Sequence, residues 1–226
     1  MRNQLFVLSG PSATGKSTIL SKIVEEGLCE IATKYSNRKK RRTVFDDIQD
    51  VSREYIFEFC DEVNYEMYGN LYGFNVKEIK ERLKKTNLIA ICSDFDSIRK
   101  MKALFNGNIS AIFIYLDGIF IENLLKAYIE RRGLNINDEE LFLLSKELSK
   151  ALKKEDKSRM ENLEKIFLTK LKAHLSDIDF EEFKKRYKSF MRYGNYNVNK
   201  HLFDHTVSGE TMDELLERCR DIIRRG

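Results

Sequence analysis

The sequence predicts an α/β fold, a mainly parallel β-sheet flanked by helices, within a single domain of 226 residues. Short apolar runs typical of strands alternate with longer stretches whose apolar residues recur at helical spacing. Such alternation is typical of βα units, which place helices on both faces of a sheet. The chain contains one proline and no Pro/Gly/Ser-rich linker that would divide it. We therefore expect ligands beyond the carboxyl ends of the strands.

The predicted elements follow one another in a regular order along most of the chain. Apolar runs predict strands at 4–9, 31–36, 55–59, 88–93, 111–116 and 205–208. Helical spacing predicts helices at 15–26, 76–85, 96–105, 119–132 and 212–225. Two further helices, rich in charge, are predicted at 138–167 and 179–193. The predicted domain thus has a core at 1–33, 76–132 and 196–226, a flap at 34–75 and a helical insertion at 133–195.

Composition narrows the class of protein. With 42% hydrophobic and 34% charged residues, the chain can bury one substantial core. It has no apolar run of 18 residues, and residues 1–9 lead into the first strand without a cleavable leader, so we expect a cytoplasmic protein outside the membrane. The net charge of +4 does not by itself indicate nucleic-acid binding. The widely spaced cysteines predict reduced, buried thiols rather than disulfides or zinc ligands: Cys29, Cys60, Cys92 and Cys219.

A phosphate-binding loop follows the first strand and opens the first helix. It has the pattern G-x-x-x-x-G-K-S and comprises Gly10, Pro11, Ser12, Ala13, Thr14, Gly15, Lys16 and Ser17, followed by Thr18. The two glycines permit backbone conformations in which consecutive N–H groups surround phosphate oxygens at a helix N-terminus. Lys16 would reach the β and γ phosphates, and the Ser17 hydroxyl would bind Mg²⁺. The alternative is an ordinary glycine turn, but the strand, loop and helix order favours a nucleoside triphosphate site.

A basic run lies one helix and one strand beyond this loop. Residues 34–42 read Lys-Tyr-Ser-Asn-Arg-Lys-Lys-Arg-Arg, with six cations in nine positions. Guanidinium groups here could clamp an anionic acceptor through paired hydrogen bonds to phosphate oxygens. A solvated basic face and a non-specific nucleic-acid patch are the alternatives. The position of the run after the phosphate loop favours the acceptor interpretation.

Six segments of the chain resemble motifs of the guanylate kinase family. Ser9–Ser17 resembles its S-G-P-S-G-x-G-K-[ST] loop, and 37–41 keeps both arginines of its T-T-R-x-x-R segment. The remaining four segments follow in the family's order: 54–57 resembles D-Y-x-F, 69–73 G-N-Y-Y-G, 129–133 R-L-x-x-R-G and 203–207 F-D-Y-x-V. The resemblance covers the core and the flap and is weak across 134–195.

This resemblance implies a P-loop kinase fold with a small acceptor-binding flap and an enlarged helical lid. It implies an ATP- and Mg²⁺-dependent phosphotransferase whose acceptor is a nucleoside monophosphate, with GMP or dGMP as the family expectation. In the family, two arginines and two tyrosines hold the acceptor's phosphate. The matching residues here are Arg38, Arg41, Tyr55 and Tyr72.

The chain departs from the family where the family reads guanine. Four positions differ, and the residues found there are Lys34, Val63, Phe74 and Cys92. Val63 stands where we align the family's guanine-reading glutamate, and valine cannot accept hydrogen bonds from the base. Glu62 or Glu66 could substitute if the alignment shifts. Another phosphorylated acceptor, such as ribose bisphosphate, therefore remains an alternative.

An acidic residue after the fourth predicted strand is a candidate for the magnesium shell. Asp94 closes the apolar run Leu88–Ser93 and matches the second aspartate of the family's D-x-D segment. Asp96 is the rival, but it precedes a helical pattern and can simply cap that helix. The metal site predicted from sequence is therefore Ser17 with Asp94.

The resemblance also places lid arginines at the end of the helix predicted at 119–132. Arg131 or Arg132 would stabilise the charge on the transferring phosphoryl group, although cations here also simply oppose the helix dipole. The second lid arginine stays open among Arg159, Arg186 and Arg192.

Two other classes of function compete with a kinase. A nucleotide-dependent interaction protein would use the helical insertion to bind a partner, and an RNA-binding protein would use the basic run. The intact Lys16 and Ser17 favour the enzyme. The apolar stripe of the insertion could cover its own core or a second subunit, as in a homodimer, and includes Leu148, Leu152, Leu163, Phe167 and Leu171.

Overall fold

The computed structural model describes residues 3–39, 47–116, 120–154, 156–193 and 199–226. Its strands are β1 (Leu5–Ser9), β2 (Glu30–Ile31), β3 (Lys34–Ser36), β4 (Ile48–Asp50), β5 (Val63–Met67), β6 (Asn70–Phe74), β7 (Leu88–Ile91), β8 (Ile109–Leu116) and β9 (His205–Gly209). Its helices are α1 (Lys16–Glu25), α2 (Arg53–Phe59), α3 (Val76–Leu83), α4 (Phe95–Phe105), α5 (Phe120–Arg132), α6 (Glu139–Lys153), α7 (Lys157–Lys172), α8 (Asp177–Tyr193) and α9 (Met212–Arg225), with a 3₁₀ turn at Lys200–Leu202. The chain forms two compact units, one of 1–10, 15–115 and 196–226 and the other of 11–14 and 116–195.

The first unit is built on a five-stranded sheet in the order β2-β7-β1-β8-β9. β1 lies at its centre and pairs in parallel with β7 and with β8. Every residue of β1 is buried, as expected of a parallel strand covered on both faces. Leu5 and Val7 pack on one side with residues of α3 and α4, including Ile79, Ile98 and Met101. The prediction of an α/β fold with a mainly parallel sheet is confirmed.

A second sheet in the same unit carries the flap, in the order β4-β3-β6-β5. β5 and β6 form an antiparallel hairpin that turns at Tyr68 and Gly69, both with positive φ (53° and 79°). This is the backbone that a tight two-residue hairpin requires. The strand predicted at 31–36 is in fact two strands, since β2 pairs with β7 while β3 pairs with β4 and β6.

Two other sequence predictions were wrong about local structure. Residues predicted as a strand at 55–59 belong to α2, because the Ser52 side chain accepts a hydrogen bond from the Tyr55 N–H (3.2 Å) and so begins a helix. Of the aromatic residues that favoured a strand, Phe57 and Phe59 are exposed, and it is Ile56 that packs on the second sheet. The single helix predicted at 138–167 is two helices, α6 and α7, and the Asp156 side chain caps the second.

The second unit contains α5, α6, α7 and α8 around its own apolar core. Leu148, Phe167 and Leu171 are fully buried in this core beside Phe183 and Tyr187. Leu152 and Leu163 pack against the same cluster. The apolar stripe of the insertion therefore covers the insertion's own core. None of the helices in the described part of the chain combines the length and apolarity needed to cross a bilayer.

Candidate active site

The phosphate loop joins β1 to α1, with glycines at its two ends. Gly10 has φ 133°, and a Cβ added there would lie 2.2 Å from the Ile114 carbonyl oxygen, so only glycine fits. Gly15 has φ 77° and is the N-cap of α1, where no side chain makes a capping hydrogen bond and the first turn holds no acidic residue. The amides that begin α1 are therefore oriented for an external anion rather than for a carboxylate of the chain.

The residues between and after the two glycines complete the loop and the first turn of α1. Ala13 has a positive φ of 65°, and the Thr14 hydroxyl donates to the Pro11 carbonyl (3.0 Å). Ser12 is half-buried, while Ser17 and Thr18 are exposed in the first turn of α1. The hydroxyl proposed as a metal ligand is thus accessible from outside the chain.

Lys16 is buried although it carries a charge. Its relative exposure is 9%, and its Nζ donates to the Gly10 carbonyl oxygen (2.9 Å), so the side chain folds back over the loop. Close to it in sequence, Ser9 Oγ is buried with no hydrogen-bond partner among the residues that the structure describes. An orphaned hydroxyl, an inward lysine and uncapped amides at one strand end fit the triphosphate that the loop motif predicts.

The candidate metal ligand Asp94 follows β7, at the same carboxyl end of the strands as the phosphate loop. β7 is parallel to β1, and the Cys92 N–H donates to the Leu8 carbonyl oxygen (3.0 Å), so both strands end together. Asp94 is itself the N-cap of α4, and its Oδ2 accepts a hydrogen bond from the Ser97 N–H (2.8 Å). The capping role weighed for Asp96 belongs to Asp94, while Asp96 pairs with Arg99 in the first turn.

A site for Mg²⁺ made of the protein alone is not evident over the described ranges, where no three His, Cys, Asp or Glu side chains converge as around a metal ion. Mg²⁺ ordinarily uses one or two protein oxygens together with substrate phosphates and water. Ser17 and Asp94 are a donor set of this kind. Their role as metal ligands stays a prediction.

The four predicted acceptor residues do not all lie together. Tyr72 on β6 is 9% exposed and stacks on Tyr65, with 5.3 Å between ring centroids. Arg38 follows β3, and its backbone N–H donates to Ser36 Oγ (3.1 Å). Arg41 lies outside the described residues. Tyr55 packs instead on Tyr35, again at 5.3 Å, in a small cluster beneath α2.

Strand alternation separates the two tyrosines further. In the ladder between β3 and β6, Tyr35 pairs with Gly73, whereas Ser36 pairs with Tyr72. Neighbouring residues of a strand point to opposite faces, so Tyr35 and the Tyr55 ring beside it lie on the face opposite to Tyr72. A Cβ on Gly73 would lie 2.5 Å from the Cys60 Cβ, which confirms that the end of α2 covers the Gly73 face.

The positions that depart from the family form one group. Lys34, Phe74 and Val63 are neighbours across β3, β6 and β5, and Cys92 packs in the same apolar cluster as the last two. Burial raises the pKa of the Cys92 thiol to about 12. Burial and the nearby Cys92 also raise the pKa of Tyr65, which packs against this group.

Sequence reasoning missed the partner of Lys34. Lys34 Nζ forms an ion pair with Asp47 Oδ2 (2.5 Å) and donates to the Ile91 carbonyl oxygen (3.2 Å). The two side chains are 8% and 12% exposed, so this is a buried pair that ties the flap to the end of β7. Only the strand register, and no spacing in the sequence, could have matched these residues.

Neither glutamate offered as a substitute for the family's base reader joins this group. Glu62 is exposed, and Glu66 is exposed and pairs with Arg53 (3.4 Å). On β5, Val63 and Tyr65 point towards the core, so Glu66 points away from it. A shift of alignment therefore does not recover a buried carboxylate from this strand.

The candidate lid arginines belong to the helical unit. Arg132 forms ion pairs with Asp179 (3.4 Å) and Glu182 and lies over the Tyr128 ring. Arg131 is exposed in the last turn of α5. Of the candidates for a second lid arginine, Arg159 pairs with Glu147 (2.7 Å), Arg186 pairs with Glu182 (2.8 Å), and the Arg192 side chain is outside the described part.

The strand, the glycine loop at the strand's carboxyl end and the helix that follows, all on a parallel sheet, are the features of a P-loop kinase fold. The structure resembles the crystal structure of guanylate kinase from Anaplasma phagocytophilum, with a TM-score of 0.55 and 16% identity over 99% of this chain and 85% of that one. In sequence it is similar to the guanylate kinase of Nitrosospira multiformis, 27% identical over 108 residues, which are 45% of this chain and 51% of that protein. No family model matches the chain.

Two further curated relatives carry the same name. The guanylate kinase of Bartonella henselae is 24% identical over 119 residues, covering 50% of this chain and 54% of the relative. That of Sulfurimonas denitrificans is 26% identical over 97 residues, covering 38% and 45%. The chain spans about half the length of the curated relatives it matches. The chain is therefore similar in sequence to guanylate kinases over part of its length and shares the fold of one of them.

Proposed function

We propose that this chain is an ATP-dependent phosphotransferase of guanylate kinase type, which transfers the γ-phosphoryl group to a phosphorylated small molecule. The observation that carries the proposal is the loop from Gly10 to Lys16, with a backbone at Gly10 that only glycine fits, an inward lysine and uncapped helix amides. The three curated relatives, all named guanylate kinases, support the same reaction class.

In this proposal the loop binds ATP. Backbone amides at the start of α1 donate to phosphate oxygens, and Lys16 exchanges its bond to the Gly10 carbonyl for one to the β and γ phosphates. Ser17 and Asp94 would hold Mg²⁺, which neutralises the charge that develops on the phosphoryl oxygens when it is bound.

The flap and the lid supply the remaining charges. Arg38, Arg41 and Tyr72 hold the acceptor's phosphate, whereas Tyr55, the fourth residue predicted from the sequence, packs on Tyr35 at the opposite face of the second sheet. Because that phosphate is already an anion, no general base is needed, and positioning with charge neutralisation carries the catalysis. Arg131 or Arg132 stabilises the transferring group, and Arg132 would have to leave Asp179 and Glu182 to do so.

The acceptor expected from the names of the relatives is GMP or dGMP. A specific observation favours a second candidate, a phosphorylated acceptor such as ribose bisphosphate: the guanine-reading positions here are buried and largely apolar. We also propose a cytoplasmic location, which suits a chain whose four cysteines are buried free thiols: Cys29, Cys60, Cys92 and Cys219.

One assay separates the enzyme from the other classes. ADP production is measured with nucleoside monophosphates and with sugar phosphates, with Mg²⁺ and then with excess EDTA. We expect acceptor-dependent, Mg²⁺-dependent turnover. Salt-sensitive RNA binding without turnover would support the nucleic-acid class instead. ATP binding with no turnover on any acceptor would support the interaction protein.

A further inference from the structure

Four residues differ from the guanylate kinase motifs at the positions that read guanine. Three of them form one continuous buried row across the second sheet, and the fourth, Cys92, packs against that row. Lys34 pairs with Phe74 across β3 and β6, and Val63 pairs with Phe74 across β5 and β6. Their relative exposures are 6%, 0% and 0%, and Cys92 beneath them is also fully buried. The four side chains therefore present one packed surface rather than four separate positions.

This row lies directly beyond the proposed phosphate-binding tyrosine. Tyr72 is two residues before Phe74 on β6, so both side chains point to the same face. Two residues along each strand, the next row on this face consists of Ser36, Tyr72 and Tyr65. Successive rows on one face are separated by about 7 Å. A nucleoside spans a similar distance, so a monophosphate held at Tyr72 would bring its base over the row of Lys34, Phe74 and Val63.

The row has few side-chain groups that could form hydrogen bonds with a nucleobase. Phe74 and Val63 have no polar side-chain atoms, and both pack into the apolar cluster that includes Ala90 and Ile98. Lys34 already donates to Asp47 and to the Ile91 carbonyl oxygen, with both side chains of the ion pair nearly buried. A purine would have to displace this pair, and its own polar edge would then meet phenylalanine and valine.

We propose that the acceptor is a phosphorylated compound without a nucleobase, of the sugar phosphate class, and that Lys34, Val63 and Phe74 determine this specificity by filling the space where a base would lie. The inference rests on the proposed phosphotransferase function. Recognition then depends on the acceptor's phosphate, held by Arg38 and Tyr72, and on the sugar hydroxyls.

The direct test compares kcat/KM of the wild-type protein for two groups of acceptors. GMP, dGMP and AMP form one group, and ribose 5-phosphate and ribose 1,5-bisphosphate form the other. We expect the better sugar phosphate to exceed GMP by at least about tenfold, the scale of discrimination that a mismatched pocket provides. A higher kcat/KM for GMP overturns this inference and leaves the proposed function intact. No turnover on any acceptor overturns both.

A variant then tests the role of the row. Phe74→Ser should open it, and we expect the ratio of kcat/KM for GMP to that for the best sugar phosphate to rise at least about tenfold. Phe105→Ser is the matched control, because it removes a buried phenylalanine from the same apolar cluster outside the row. An equal rise in the control assigns the change to general loosening and contradicts the specificity role. If Phe74→Ser does not fold, calorimetric competition of GMP against ribose 1,5-bisphosphate on the wild-type protein decides the question, and tighter GMP binding overturns it.

Discussion

The two regions proposed to bind anions, the phosphate loop and the flap, differ in how closely they match the guanylate kinase motifs. The phosphate loop keeps both glycines, the lysine and the serine of G-x-x-x-x-G-K-S, and the structure shows a contact that forbids a Cβ on Gly10. The flap keeps Arg38 and Tyr72, the proposed phosphate-binding residues, and the row beside Tyr72 contains the buried side chains of Lys34 and Phe74. Binding a triphosphate places the same demands on any P-loop enzyme, whereas the acceptor pocket can change with the acceptor. We therefore expect the loop to set the reaction and the flap to set the acceptor.

The largest expected effect lies in the loop. Lys16→Ala removes the ammonium group that would neutralise the γ phosphate, and we expect kcat to fall by about a thousandfold or more. The matched control is Lys22→Ala on the exposed face of the same helix, where the lysine makes only a surface pair with Glu25. Initial rates of ADP production give both values. Comparable losses in the two variants would show that Lys16 has no special role.

The loop backbone provides the next effect. Gly10→Ala combines a φ of 133° with a Cβ 2.2 Å from a carbonyl oxygen, and we expect it to cost about 3 kcal/mol or more of unfolding free energy. Gly27→Ala is the matched control, since Gly27 also has a positive φ (71°) but open space around its Cβ, so it should cost about 1 to 2 kcal/mol. Urea denaturation measures the difference. Equal costs would mean that the close approach to Ile114 is unimportant.

The loop and the flap also differ in how much of their structure can be predicted from the sequence. The loop is local: strand, glycines, lysine and helix are adjacent in the chain, so the motif was recognised with its geometry. Tyr55 was assigned to a strand because its neighbours are aromatic, and only the cap made by Ser52 shows the helix. The Lys34–Asp47 pair depends on strand register and on packing against β7, and neither can be predicted from the spacing of residues in the sequence. The order of elements was predictable, and the contents of the acceptor pocket were not.

The buried ion pair of the flap should behave unlike a surface pair. Lys34→Met leaves Asp47 buried without its cation, and we expect the free energy of unfolding to fall by about 3 kcal/mol. The double variant with Asp47→Leu should recover most of this loss, because apolar residues often replace a buried pair at little cost. Lys22→Met at the exposed pair with Glu25 should change stability by less than about 0.5 kcal/mol. A double variant no more stable than Lys34→Met would show that the two side chains do not depend on one another.

The smallest effect distinguishes the two tyrosines of the flap. Tyr72 lies on the face of β6 that carries the altered row, whereas Tyr55 packs on Tyr35 at the other face. Losing one phenol hydrogen bond to an anionic phosphate should raise the acceptor KM about tenfold in Tyr72→Phe, with the KM for ATP unchanged. Tyr55→Phe should change neither KM by more than about twofold, since its hydroxyl would donate to no phosphate. Steady-state kinetics with the best acceptor gives both constants. If Tyr55→Phe raises the acceptor KM as much as Tyr72→Phe does, the hydroxyls of both faces reach one phosphate, and the acceptor site extends around the edge of the sheet.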